Sequence, residues 1–419
     1  MQYGCIGEHL SHSFSAEIHA MLADYKYEIR EIAPSDLEDF FARRDFSGIN
    51  VTIPYKEAVI PYLDFVDESA KRIGAVNTIV NGTGGLCGYN TDLYGMCALI
   101  RRLGIDLSGK KVAILGTGGT SRTACAVADI MKAAQVVCVS RRNGMGIVDY
   151  DELYRSHADV QVIINTTPCG MYPYADGNED RSATPVDISR FPDLCGVVDA
   201  VYNPIRTNLI MDAKEKGIAA EGGLYMLVAQ AIAASALFLD KEYPDGLCET
   251  VYGKLLSQKE NIVLCGMPSS GKSTVGRIIA DITGRAFLDT DELIVDRIGM
   301  PISEFFSKHG EKAFRDVESS VIREQISQLS GRVIATGGGA ILRDENVRAL
   351  RRNGRLIFLD RPLCDLIPTS DRPLASDADA IRKRYEERYE RYLTVSDVRV
   401  DVKGTPESVA QNVIKEFEA

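Results

Sequence analysis

Apolar residues gather twice along this chain into a short strand-like run that breaks into a glycine loop and then resumes at helical spacing. The first unit is residues 111–131 (KVAILGTGGTSRTACAVADIM) and the second residues 261–282 (NIVLCGMPSSGKSTVGRIIADI). Each predicts the opening β–α of a parallel sheet, so the fold class is α/β with two nucleotide-handling modules. Ahead of the first unit the pattern predicts helix over 15–25, strand over 48–53, helix over 55–66 and strand over 75–80. Further strands are expected over 135–139 and 286–288. The longest apolar run, residues 224–239, is shorter than the ~18–20 residues of a membrane span and carries Gln230 mid-run, which predicts a buried helix. The expected organisation is a substrate-binding α/β domain over 1–100 completed by a returning helical segment, 224–253. A Rossmann-like domain follows over 101–223, then a polar linker over 254–260 and a P-loop domain with a parallel sheet over 261–419.

Composition narrows the function. The chain has 419 residues, no tryptophan, 45% hydrophobic and 26% charged residues, values that exclude wholesale disorder. Its net charge of −11 is confined to residues 1–250, which hold 22 Lys+Arg against 33 Asp+Glu; residues 251–419 hold 26 of each. Neither half carries the basic footprint of a nucleic-acid protein. Ten cysteines with no CxxC pair are too sparse for a disulfide scaffold and predict reduced thiols in the cytoplasm. The opening MQYGCIGEHLSHSFS lacks a charged segment followed by a long apolar one, so neither a signal peptide nor a membrane partner is expected. Small molecules remain as partners, and a homo-oligomer stays open.

The first glycine loop reads Gly116-Thr117-Gly118-Gly119-Thr120-Ser121. Its glycines let the backbone approach a pyrophosphate, and the helix that follows offers free N–H groups and a partial positive charge. The strand over 135–139 ends in Ser140-Arg141-Arg142, where an NAD site would carry an acid for the ribose 2′-hydroxyl. Two arginines suit a 2′-phosphate instead, which makes NADP(H) the expected cofactor.

Polar groups cluster in the first hundred residues beyond the needs of a core: His12-Ser13-Phe14-Ser15, the segment 50–56 (NVTIPYK), 74–78 (GAVNT) and 88–92 (GYNTD). Hydroxyls and amides of this kind could hold a small polyhydroxylated acid. Lys56 would then move a proton and Asp92 orient it. Together with the GTGGTS loop, Asn165-Thr166-Thr167, Asp199, Tyr202-Asn203-Pro204 and the segment 223–230 (GLYMLVAQ), these motifs resemble the shikimate dehydrogenase family from about residue 3 to residue 250. The resemblance implies that Ser13, Ser15, Thr52, Asn77, Asp92, Tyr202 and Gln230 bind substrate and that Lys56 with Asp92 is the catalytic pair. It adds Thr166 and Gly223 to the cofactor set and places Ser140, Arg141 and Arg142 on the 2′-phosphate. The family often carries a further arginine shortly afterwards, whereas residues 143–153 hold no basic residue.

The second loop, Gly266-Met267-Pro268-Ser269-Ser270-Gly271-Lys272-Ser273-Thr274, is a complete G-x-x-x-x-G-K-[ST] motif between strand and helix. Its backbone N–H groups cradle ATP phosphates, Lys272 reaches the outer ones and Ser273 can ligate Mg²⁺. Asp289 and Asp291 follow the next strand; two residues apart on an extended chain they would share a face, one serving the metal and one an acceptor hydroxyl. From about residue 261 onward, Phe314-Arg315-x-x-Glu318, Gly337-Gly338-Gly339, Arg372-Pro373-Leu374 and Arg388 with Tyr392 resemble shikimate kinase. That resemblance implies that Asp291, Arg315, Gly338, Gly339 and Arg388 hold shikimate, with Asp291 catalytic. It puts Asp289 with Ser273 at the Mg²⁺ and Arg372 on a lid. The chain is therefore expected to reduce 3-dehydroshikimate with NADPH and to phosphorylate shikimate with ATP. The alternative is a quinate/shikimate dehydrogenase whose kinase-like module is regulatory or acts on another small polyol acid.

Overall fold

Three sheets organise the chain in a computed structural model that describes all residues except His9, 11–12, 142–143, 173–182 and 368–377. The chain divides into two compact units, Met1–Leu255 and Leu256–Ala419. No helix among the described residues is long and apolar enough to cross a membrane.

In the first unit, β1 (Tyr3–Gly7), β2 (Tyr27–Glu31), β3 (Gly48–Val51), β4 (Phe65–Val66), β5 (Thr78–Gly82) and β6 (Gly85–Tyr89) form a sheet ordered β2-β1-β3-β5-β6-β4. Its β5 runs antiparallel to both β3 and β6, while β1 pairs in parallel with β2 and β3. Ile6, Phe41, Ile49, Val59, Ile79 and Leu86 are buried in one cluster on this sheet. The helix expected over 55–66 does not form. Val59 closes one turn onto the Tyr55 carbonyl, and a 3-10 turn (Ile60–Tyr62) and β4 follow. Pro61 is the physical reason, since it has no N–H to give the Glu57 carbonyl and so ends the ladder. The chain then turns into the sheet, where the Asp64 amide bonds the Leu86 carbonyl.

The apolar run Leu224–Leu239 is one helix, packed against the helix Thr91–Arg102. Gly95 sets how closely they approach: a Cβ there would lie 2.5 Å from the Met226 carbonyl oxygen. That close crossing brings Thr91 and Asp92, in the first turn of one helix, beside Gln230 of the other.

The second sheet contains β7 (Lys111–Leu115), β8 (Gln135–Val139), β9 (Ile147–Val148), β10 (Val162–Asn165), β11 (Gly196–Asp199) and β12 (Ala219–Glu221). All pairs are parallel, in the order β12-β11-β10-β7-β8-β9. Chain order reverses at β7, and the crevice beyond such a switch point is where open α/β sheets bind ligands. The GTGGTS loop leaves from β7.

In the second unit, β13 (Asn261–Cys265), β14 (Phe287–Asp289), β15 (Val333–Ala335), β16 (Gly354–Asp360) and β17 (Val398–Asp401) form a parallel sheet ordered β14-β15-β13-β16-β17. Buried clusters cover both faces, one around Phe314, Ile341 and Phe358 and one around Ile279, Leu359 and Val413. The run 254–260 is not an irregular linker: the helix Leu247–Lys259 continues through most of it. Lys, Leu, Ser and Gln sustain a helix without Gly or Pro to stop it, and Leu255 is buried, so the polarity marks the helix's exposed faces. Asp289 and Asp291 do not share a strand face either. Asp289 ends β14 and caps the helix Thr290–Ile298, so Asp291 already lies in a helical turn.

Candidate functional sites

The first site is built on the start of the helix Thr91–Arg102 and on the turn after β3. Lys56 Nζ donates to Asp92 Oδ2 at 2.6 Å, both side chains being largely withdrawn from solvent. Behind Asp92, Asn77 is held in one orientation. Its Oδ1 accepts from the Thr91 amide at 2.7 Å, and a backbone N–H can only donate. The Asn77 Nδ2 is thereby turned to Asp92 Oδ1, 2.9 Å away. Thr78 Oγ1 lies within 3.1 Å of Asn77 Oδ1 and accepts from Asn50 Nδ2, while Tyr27 donates to Asn50 Oδ1 at 2.6 Å. Asn50 and Thr78 lie within the NVTIPYK and GAVNT motifs, but motif spacing does not reveal this supporting role. Only the pairing of β3 with β5 brings them together.

Around this pair, Gln230 Oε1 lies 3.4 Å from Thr91 Oγ1. Thr52 continues β3 through its amide on the Ile6 carbonyl. Ser13 accepts from the Ser15 amide at the start of the helix Ser15–Leu22, and Phe14 between them meets the Tyr202 ring edge-on at 5.4 Å. Burial pushes the Tyr202 phenol up to about 12, keeping it a neutral donor. His12 lies outside the described residues.

Lys56 also lines a cavity of about 1070 Å³ together with Gly116, Thr117, Gly118, Gly119, Thr120, Ser140, Arg141 and Thr166. Gly116 has φ +107°, and a Cβ there would sit 2.8 Å from Thr166 Oγ1, so the turn needs glycine. Thr166 donates its hydroxyl to the Leu115 carbonyl and closes the loop from below. The helix Gly119–Ile130 has no capping side chain, and space beyond Gly118 and Gly119 is open. Uncapped amides facing a cavity fit a pyrophosphate, and exposed Arg141 at the tip of β8 fits a further phosphate, so the residues present suit a phosphorylated dinucleotide. Ser121 is buried in the first turn of that helix. Gly223 packs where a Cβ would strike the Ala200 carbonyl, which accounts for it structurally without a ligand. Arg142 lies outside the described residues.

Asp199 explains another of the motifs. It is buried and accepts from Asn165 Nδ2, the Val201 amide and the Thr207 hydroxyl. Burial outweighs these bonds and raises its carboxyl to about 6. It ties the ends of β10 and β11 to the segment leading to Gly223.

In the second unit the P-loop curls over Lys272, whose Nζ donates to the Gly266 and Met267 carbonyls at 3.0 and 2.8 Å. Ser269 adopts φ +64° inside the loop, and Ser270 is fully buried below it. Gly271, at φ +95°, precedes the helix Lys272–Thr283, which contains Thr274 in its first turn. Ser273 Oγ donates to Asp289 Oδ2 at 2.6 Å, while Asp289 Oδ1 accepts from the Asp291 amide. Among the described residues no group of three or more His, Cys, Asp or Glu could gather as metal ligands. A hydroxyl and a single carboxylate fit Mg²⁺ that takes its remaining oxygens from phosphate and water.

Asp291 lies close to Gly337, where a Cβ would fall 2.7 Å from Asp291 Oδ1 and 2.9 Å from Glu318 Oε1. Arg315 lies flat against Gly339 and donates to Glu318 Oε2 at 2.7 Å. Glu318 is wholly buried and its pKa is raised by that burial, with the Arg315 charge opposing. Arg388, also buried, donates to the Gly338 carbonyl at 3.2 Å. Burial lowers its pKa, and Arg384 and Arg315 add like-charge repulsion, so an anion here would relieve all three. Tyr392 has a role that its motif position alone does not show. Its hydroxyl lies 3.0 Å from the Gly266 carbonyl and 2.5 Å from that of Gly338, joining the P-loop to the glycine turn. Arg372 lies outside the described residues.

The comparisons agree with this division. The model for the shikimate dehydrogenase substrate binding domain matches residues 5–79, and that for shikimate kinase matches residues 268–418. Shikimate dehydrogenase (NADP(+)) of Clostridium perfringens (strain SM101 / Type A) is 33% identical over 271 residues, spanning 60% of this chain and 97% of that protein. Shikimate dehydrogenase 1 of Peptoclostridium difficile superposes with TM-score 0.55 at 33% identity, over 61% of this chain and 98% of that one. Shikimate 5-dehydrogenase of Thermus thermophilus, solved with NADP(H) and shikimate, gives TM-score 0.53 at 29% identity, over 61% of this chain and 99% of that one.

Proposed function

Because this chain belongs to the shikimate dehydrogenase family and carries a shikimate kinase domain over residues 268–418, we propose that one polypeptide catalyses both steps: NADPH-dependent reduction of 3-dehydroshikimate to shikimate, then ATP-dependent phosphorylation of shikimate to shikimate 3-phosphate. The observation that carries the proposal is that the reactive groups for both reactions occur in one chain. A Lys56–Asp92 pair opens on a glycine-loop cavity, and a P-loop carries a Ser273–Asp289 contact of its own. The product of the first reaction is the acceptor of the second.

In the reduction, NADPH supplies the hydride when bound. Lys56 gives the proton that the carbonyl oxygen takes as it becomes a hydroxyl, and Asp92 keeps the ammonium aimed. Asn77 fixes Asp92 from behind. Ser13, Ser15, Thr52, Tyr202 and Gln230 supply hydroxyl and amide partners for the ring oxygens. Residues 1–100 with 224–253 are assigned to substrate and 101–223 to cofactor. In the phosphorylation, ATP with Mg²⁺ supplies the phosphoryl group; Gly266–Thr274 and Lys272 hold its phosphates, and Ser273 with Asp289 provides the oxygens for the metal. Asp291 takes the proton of the acceptor hydroxyl, while Arg315 and Arg388 hold the acceptor's carboxylate.

Purified protein given 3-dehydroshikimate, NADPH and ATP·Mg tests the reading, with cofactor absorbance and ADP release followed separately. Both signals are expected, and ADP release without added shikimate should depend on NADPH. Loss of either signal in folded protein overturns the bifunctional assignment.

The cofactor assignment has its own expected result. A charge-assisted hydrogen bond contributes about 1.5–3 kcal/mol, roughly 10- to 150-fold in binding. Wild type should therefore favour NADPH over NADH by at least about tenfold in kcat/KM. Replacing both Arg141 and Arg142 with Ala should remove most of that ratio, with NADH kinetics little changed. Equal use of both cofactors by wild type would remove Arg141 and Arg142 from the 2′-phosphate.

A further inference from the structure

Two cysteines meet beside the cofactor loop and take no part in the chemistry above. Cys125 lies on the helix Gly119–Ile130 and Cys138 on β8, and their sulfurs are 3.7 Å apart. Strand alternation explains the meeting. Val137 and Val139 point into the buried cluster on one face of the sheet, so Val136 and Cys138 face the other. Both thiols are half-buried, so small reagents have a route to them. A disulfide needs sulfurs about 2.05 Å apart, which here requires an approach of under ~2 Å between side chains already in contact.

We propose that Cys125 and Cys138 form a redox-active dithiol, which peroxide converts to a disulfide, and that the oxidised form binds NADPH more weakly. The step balances with hydrogen peroxide as oxidant. One of the two thiolates attacks the peroxide oxygen, breaking the O–O bond and giving a sulfenic acid and hydroxide, which takes up the proton that thiol lost and leaves as water. The other sulfur then attacks the sulfenic sulfur, the S–S bond forms as the S–O bond breaks, and a second water leaves with the proton of the resolving thiol. Two electrons pass from the thiols to the peroxide. Either sulfur can donate the hydrogen bond between them, so either can be the attacking thiolate and the other the resolving thiol.

The link to the cofactor is positional. Cys138 precedes Ser140 and Arg141 by two and three residues on the same strand end, and Ser140 and Arg141 line the cavity. Cys125 lies one helical turn beyond Ser121, which sits in the first turn of the helix that follows the glycine loop. Drawing the two sulfurs together moves the uncapped helix terminus against the strand tip, so the pyrophosphate and 2′-phosphate contacts cannot both keep their spacing.

The test uses the full chain treated with hydrogen peroxide, digested without reduction and mapped by mass spectrometry, with both activities assayed in parallel. A Cys125–Cys138 bridge, two hydrogens lighter than the paired peptides and reversed by dithiothreitol, is the expected product. NADPH KM should rise by roughly three- to tenfold, about the worth of one hydrogen bond. The kinase should be unaffected, and neither Cys125→Ser nor Cys125→Ala should respond. Cys138→Ser provides a second, independent removal of the pair. Oxidation elsewhere that leaves this pair reduced overturns the proposal, and a bridge that leaves NADPH KM unchanged overturns its coupling to the cofactor. The NADPH arm rests on the proposed dehydrogenase activity and the mapping arm does not, so the two failures are distinguishable.

Discussion

Lys56→Ala lowers dehydrogenase kcat by roughly 10²- to 10⁴-fold, the usual scale for a lost general acid–base group, and leaves kinase turnover on supplied shikimate unchanged. Among the described residues Lys56 is the one cation in hydrogen-bond contact with Asp92, and it lines the cavity that also holds the GTGGTS loop. No other described Lys or Arg lines that cavity except Arg141, which sits at the far strand tip beyond β8. Removing the ammonium leaves Asp92 partly buried with the Asn77 amide as its partner, so a modest stability loss should accompany the catalytic one. The measurement is kcat and KM for each reaction in the same preparation, with thermal unfolding as the check on folding. The kinase half has its own core and its own sheet, which is why its rate should not move. A matching loss of kinase activity in folded Lys56→Ala protein would show that the two activities are not independent.

Local pattern carries the strands and the long helix well, because each of those elements is bounded by its own chemistry. The helix Leu224–Leu239 spans the apolar run from end to end, and β8 coincides with the apolar segment before Ser140. The same signals fail where a neighbour overrules the pattern. Residues 55–66 are apolar at helical spacing, but Pro61 stops the ladder and β6 captures the following residues as β4. The stretch 254–260 contains the boundary between the two units, at Leu255–Leu256, yet most of it is helix, because polarity alone does not distinguish a loop from the wet face of a helix. The residues proposed to touch ligand come with motif spacing and are legible. The groups that hold them in place, Asn50 and Thr78 behind Asn77 and Tyr392 between Gly266 and Gly338, are brought to their partners by sheet pairing and a helix far along the chain. No one-dimensional spacing encodes such contacts. Asp289 and Asp291 lie between these cases: the pair is visible in the sequence, but its geometry depends on where β14 ends and the next helix begins.

Arg388→Lys raises the shikimate KM by roughly 10- to 150-fold, the loss of one charge-assisted hydrogen bond, while the ATP KM stays within about twofold. Arg388 is buried, donates to the Gly338 carbonyl and stands near Arg315, which lies flat against Gly339. A planar fork can keep one N–H on that carbonyl while presenting others side by side to a carboxylate, and a lysine's N–H groups, all on one nitrogen, cannot reproduce that bidentate geometry. The substitution should therefore break either the glycine turn or the substrate contact, although the charge is kept. Like-charge pressure from Arg315 and Arg384 sharpens the expectation, because a carboxylate is the ligand that relieves it. The nucleotide is proposed to be held elsewhere, by the loop from Gly266 to Thr274, whose Lys272 donates to the Gly266 and Met267 carbonyls. Steady-state kinetics with each substrate varied in turn separate the two sites. A rise confined to shikimate places Arg388 on the acid, and an equal rise for ATP would move it to the phosphates, leaving Arg315 to hold the carboxylate alone.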